Sequence, residues 1–124
     1  MTTPKPVRLQ RSRKKGARLV SPNGLPIVCV DRSTKWGNPW EWQWVMLRTG
    51  KSEKEAKAIS AKWFRDALVG KVPPRLTPNL ERILYIREHV HELRNTNLAC
   101  WCKLPAPGEP DLCHASILLE IANA

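Results

Sequence analysis

The apolar positions change period several times along the chain, and each change predicts an element. Ile27-Val28-Cys29-Val30 is a short, unbroken apolar run rich in β-branched residues, the pattern of a strand buried on both faces. Asn97 to Trp101 is a second strand candidate. Between them the period lengthens. Ser52 followed by Glu55 is a capping-box signature, and the helix it opens carries Ala56, Ile59, Trp63 and Ala67 on one stripe before stopping at Gly70. Thr77-Pro78 predicts a second start, with threonine as N-cap and proline at the first helical position. Ile83, Ile86, Val90 and Leu93 form the inward face of that helix. Asp111 is placed as N-cap of a last helix that buries Ile117, Leu118 and Ile121. Trp40, Trp42 and Trp44 alternate with period two, but Val45, Met46 and Leu47 follow without polar spacing, so that stretch fits neither strand nor helix.

Two strands separated by two helices favour parallel pairing through a crossover. The predicted fold is α/β: a small single-domain, three-layer, Rossmann-like unit with a short, mostly parallel sheet and room for one or two further strands. At 124 residues the chain can bury a core without disulfide staples. No apolar run approaches the ~20 residues of a membrane span. The first twenty residues lack the apolar stretch of a signal peptide, so the expected location is the cytoplasm of a bacterial host cell, with reduced thiols.

Charge adds a feature that periodicity does not show. Lys5, Arg8, Arg11, Arg13, Lys14, Lys15 and Arg18 all precede the first acid, Asp31. Residues 1–20 are therefore expected to form a basic N-terminal arm or first loop, and 21–124 a single α/β domain. Arg8, Arg11, Arg13, Lys14, Lys15 and Arg18 are candidate nucleic-acid contacts. A solvated tail explains the same run equally well.

Two segments carry candidate chemistry. Cys100-Trp101-Cys102 with Cys113-His114 gathers three of the four cysteines and one of the three histidines within fifteen residues. On a strand, Cys100 and Cys102 project to one face. Cys100, Cys102, Cys113 and His114 are candidate ligands for zinc, although adjacent helical residues diverge by about 100° and would rarely share an ion. Cys113 and His114 are alternatively candidate catalytic residues, with the helix N-terminus lowering the thiol pKa. Buried, inert cysteines are the third possibility, and the sequence leaves all three open.

The second segment is Arg32-Ser33-Thr34-Lys35-Trp36-Gly37-Asn38-Pro39. Arg32 and Lys35 suit phosphate, Ser33 and Thr34 supply hydroxyls, Trp36 suits base stacking, Gly37 permits positive φ, and Asn38 offers polar recognition. Both segments leave the carboxyl ends of predicted parallel strands, where α/β ligands bind, so they are expected to face each other across one pocket. The expected ligand is a nucleotide or nucleic-acid component, with or without chemistry performed on it. The alternative is a non-catalytic module binding nucleic acid or a host protein, with the cysteines as structural support.

The Arg11–Arg18 opening, Val30-Asp31-Arg32-Ser33-Thr34-Lys35-Trp36-Gly37-Asn38-Pro39, Leu98 to Cys102, Cys113-His114-Ala115 and the Leu118–Asn123 tail together resemble the phage and bacterial family called domain of unknown function 4326 (DUF4326). The tail also resembles the Cys…Cys-His-Arg ending of domain of unknown function 488, with Ala115 where that pattern has arginine. These resemblances imply a phage or prophage setting and a Rossmann-like α/β domain, and no activity.

Overall fold

Three short strands form a sheet in which every pairing is parallel. The computed structural model describes residues 4–124; residues 1–3 of the expected arm lie outside the described residues. In chain order the elements are β1 (Arg8–Gln10), β2 (Ile27–Cys29), α1 (Trp42–Thr49), α2 (Glu53–Leu68), a 3-10 turn (Pro74–Leu76), α3 (Leu80–His89), a second 3-10 turn (Val90–Leu93), β3 (Asn97–Cys100) and α4 (His114–Ala122). The strand order is β1-β3-β2, with Leu9 opposite Ala99 and Val28 opposite Leu98. The α/β fold with a short parallel sheet is thus as expected. Among the described residues, no helix is long and apolar enough to cross a membrane.

The third strand is one of the further strands expected, but its place in the chain was not legible. β1 falls within the run read as a basic arm or first loop, because Arg8-Leu9-Gln10 has a single apolar residue and no strand signature. What recruits it is a buried amide. Asn97, at the start of β3, has no exposed surface. Its Oδ1 accepts from Val7 N at 3.0 Å, and it exchanges amide hydrogen bonds with Asn23 at 2.8 and 3.1 Å. One side chain therefore ties the approach to β1 and the turn before β2 to the central strand, with every polar atom satisfied.

The helices depart from their predicted limits for local reasons. Ser52 caps α2 as expected, its hydroxyl accepting from Glu55 N at 3.3 Å. The buried stripe, however, is Ala56, Ser60, Phe64, Ala67 and Leu68, rotated from the one predicted because a serine occupies a core position. Thr77 does not cap α3. Its hydroxyl donates to Pro73 O at 3.0 Å and closes the preceding turn, while Asn79, at φ 45°, caps α3 by accepting from Arg82 N. The tryptophan-rich stretch is helix α1, which ends at Gly50 in the left-handed region. Val45 is its buried residue, and Trp44 and Leu47 face solvent. Ile83, Ile86, Leu93, Leu98 and Leu118 join Phe64 in the core, with Trp36 and Trp40 at its edge.

Candidate functional site

The carboxyl ends of all three strands lie at one edge of the sheet, where Arg11 N donates to Cys100 O and Val30 N to Ala99 O. The chain leaving this edge builds the site. Cys100 is the last residue of β3, and Cys102 follows two positions on. Cys113, not Asp111, is the N-cap of α4, at φ −82° and ψ 141°, with its sulfur accepting from Ala115 N. Asp111 is displaced from that role because both its oxygens serve Arg8. Arg8 Nε donates to one at 2.6 Å and an η nitrogen to the other at 2.9 Å.

The three sulfurs converge. Those of Cys100, Cys102 and Cys113 all lie within 4.8 Å of one another, and Cys100 and Cys102 are 3.8 Å apart. Cys100 and Cys113 are buried and Cys102 is exposed. This group can hold a metal ion. Hydrogen bonds from the Cys100 and Cys113 thiols, opposed by burial and helped by nearby Arg8, push Cys102 down to about 3. Cys113 is pushed up by its hydrogen bonds with Cys100 and Cys102 and by burial. The field of Arg8 and the hydrogen bonds of the cluster thus favour a thiolate at the exposed Cys102, whereas burial disfavours one at Cys113.

His114 lies beside the Cys113 sulfur but outside the group of three. Its Nε2 lies 2.5 Å from Val30 O, so it carries the proton and donates to that carbonyl, and Nδ1 is 3.8 Å from the Cys113 sulfur. Burial, partly offset by the field of Cys100 and the Val30 hydrogen bond, holds the ring below its usual pKa and hence neutral at pH 7. The ring packs edge-on against Phe64 at 5.7 Å. It joins α4 to the end of β2 and is not one of the converging ligands.

The two predicted segments do share one cleft, of about 610 Å³. Arg32 and Asn38 line it, as do Cys102, Cys113 and His114. Within the loop, though, most of the expected ligand contacts are internal. Ser33 donates its hydroxyl to Asp31, and Thr34 donates to the Asp31 carbonyl at 2.7 Å. Trp36 is 5% exposed and packs against Tyr85, so it offers no face to a base. Lys35 turns away, its amine 5.1 Å from the Tyr85 ring centre. Asn38 spends its amide on Ser60 and its carbonyl on Trp40 N, at 2.9 Å each. Gly37 is required for space rather than for positive φ: a Cβ there would lie 2.7 Å from the Arg32 Cα. Of the predicted phosphate contacts, only Arg32 is exposed and lines the cleft.

The sequence reading missed the remaining wall. Trp42 of α1, Lys54 and Lys57 of α2, Trp101, and Lys103 after the cysteines all border the cleft. Lys54 and Lys57 resemble an ordinary solvated helix face, and only the packing of α1 and α2 beside the sheet edge brings them here.

Residues 9–124 match a family described as a domain of unknown function, DUF4326. The chain belongs to the DUF4326 family. No match was found among curated proteins or among solved structures. In this DUF4326 chain the matched span includes the cysteine cluster, the Arg32–Asn38 loop and the cleft between them, and it omits Arg8.

Arg8 also requires correction as a nucleic-acid contact. It is 8% exposed, and besides Asp111 it donates to the carbonyls of Cys102 and Lys103 at 2.7 and 3.0 Å. Arg11 is partly committed too, pairing with Asp31 at 2.7 Å while its guanidinium lies 4.3 Å from the Trp101 ring centre. Arg13, at 4.5 Å from the same ring, and Lys14, Lys15 and Arg18 remain exposed.

Proposed function

We propose that the cleft binds a nucleotide, free or as one unit of a nucleic acid, above a metal held by Cys100, Cys102 and Cys113. The observation that carries this is the shared cleft: Arg32, Lys54, Lys57 and Lys103 line it together with Glu53, Glu109 and Asp111, two indoles wall it, and Cys102 and Cys113 of the thiol cluster open onto it. Its volume suits a ligand of nucleotide size. Arg32, Lys54 and Lys103 take the phosphate, and Trp42 or Trp101 replaces Trp36 as the stacking surface. Zinc is the metal assigned to the cluster, since three cysteine sulfurs favour it over hard cations. The setting is the one the family resemblance implied, the cytoplasm of a phage-infected bacterium.

The test is calorimetric titration of nucleoside monophosphates into the zinc-loaded chain. Arg32→Glu is expected to weaken binding about tenfold or more with little change in melting temperature, the loss of one charge-assisted phosphate contact. Lys35→Glu, outside the cleft, is expected to leave affinity unchanged. Equal losses at the two positions, or none at either, would refute the assignment.

A second reading has its own support. Among the described residues before Asp31 there is no acid, and a groove of about 260 Å³ runs beside them, bordered by Arg11, Arg18 and Trp101. Trp101 borders both this groove and the cleft. This favours a polyanionic strand over a host protein as partner. Deleting residues 1–18 would remove β1, so the informative variant is Arg13→Glu with Arg18→Glu. It is expected to weaken single-stranded DNA binding and flatten its salt dependence.

A further inference from the structure

We propose that the metal at Cys100, Cys102 and Cys113 keeps its fourth coordination position open to the cleft, where it binds a water or a ligand atom. This rests on the zinc reading above and goes beyond it: the centre is a ligand-binding element, not a closed structural clip.

Geometry first favours a single tetrahedral ion. Zinc–sulfur bonds of about 2.3 Å place tetrahedral sulfurs about 3.8 Å apart. Cys100 and Cys102 are 3.8 Å apart as they stand, and the third sulfur lies within 4.8 Å of both. A polynuclear iron–sulfur cluster would hold its cysteines more widely.

Among the described residues no histidine, aspartate, glutamate or further cysteine atom joins the three sulfurs within 4.8 Å of one another. His114 Nε2 donates to Val30 O, and its Nδ1, although 3.8 Å from the Cys113 sulfur, is not within that distance of all three. Both Asp111 oxygens are taken by Arg8, and one also accepts from Cys113 N at 3.2 Å. Cys29, the remaining cysteine, lies at the end of β2 outside the cluster.

Burial then says which side is open. Cys100 is closed in by the core, whereas Cys102 is exposed and both it and Cys113 line the cleft. An ion bound by the three sulfurs therefore meets protein on one side and the ligand cleft on the other. Three thiolates on a divalent ion leave one net negative charge. The Arg8 guanidinium, bonded to the Cys102 carbonyl, sits beside it to offset that charge.

Two measurements on the full chain test this. X-ray absorption of the zinc-loaded protein is expected to show one zinc with three sulfurs and one light atom, without the outer-shell scattering of a bound imidazole. The cobalt-loaded protein is expected to change its visible absorption saturably with added azide or free imidazole. Cys102→Ser, at the exposed position, should cost roughly a hundredfold or more in metal affinity, and Cys29→Ser should cost none. A fourth sulfur, a bound protein imidazole, or a cobalt spectrum indifferent to both added ligands would overturn the open position while leaving the zinc reading intact. A chain that binds no stoichiometric metal would overturn both.

Discussion

Arg8 offers the sharpest test of how this fold is held together. Its guanidinium is almost wholly buried, at 4% side-chain exposure, and makes four hydrogen bonds: two to Asp111 and one each to the carbonyls of Cys102 and Lys103. It clamps edge strand β1 to the loop carrying the cysteines. Arg8→Ala would leave the Asp111 carboxylate, itself 20% exposed, without its partner in a partly dry site. Breaking a buried pair from one side typically costs 3–5 kcal/mol. Because Asp111 keeps some contact with water, about 3 kcal/mol is the appropriate figure. For a domain of this size that corresponds to a fall in melting temperature of roughly 10 °C. Urea unfolding gives the free energy directly, and a cycle with Asp111→Asn should show strong coupling, the double variant being much less destabilised than the sum of the singles. Arg13→Ala, on an exposed side chain, serves as the comparison and should change stability by less than about 0.5 kcal/mol. If Arg8→Ala loses no more than Arg13→Ala, the clamp does not exist and the first twenty residues are the arm their composition suggested.

Two further predictions concern Asp31 and the Arg32–Asn38 loop that follows it. Gly37→Ala would push a methyl to 2.7 Å from the Arg32 Cα and 2.8 Å from its carbonyl oxygen, backbone atoms that cannot swing aside. A loss of about 1–3 kcal/mol in chemical unfolding, with a further loss of nucleotide binding, is expected; unchanged stability would show the turn to be slack. Asp31 supplies a pH dependence. Burial raises its carboxyl, but hydrogen bonds from Ser33 and Arg11 outweigh this and hold it below its ordinary 3.8. The folded state thus binds this proton less readily than the unfolded state. Its contribution to stability is complete above about pH 4 and lost as pH falls through the depressed value. Asp31→Asn should flatten the acid limb of the stability curve, and parallel curves for the two proteins would contradict it.

Features set by local chemistry were legible in the chain itself. The Ile27–Val30 strand, the Ser52 cap and the parallel crossover follow from short-range patterning, whereas Cys102 meets Cys100 beyond the end of β3, in the bend that follows the strand. That the two loops meet also followed from topology, because parallel strands place their carboxyl ends at one edge. Side-chain roles were less legible wherever a polar residue serves the interior. Ser60 in a helix core, Asn97 as the tie among three strands and Arg8 as a buried clamp all resemble surface residues until their partners, 20 to 103 positions away, are known.

The sequence alone therefore determined the fold class and pointed to the two segments that share the cleft, leaving the role of the cysteines open. The tertiary structure decided the rest. It placed β1 in the sheet, made Trp36 and Asn38 framework and turned Lys35 away. It brought Lys54, Lys57 and Trp42 to the cleft and left His114 outside the group of three converging sulfurs. The physical reason is burial: whether a charge, amide or indole meets ligand or core depends on what packs against it, and those neighbours are remote in the chain.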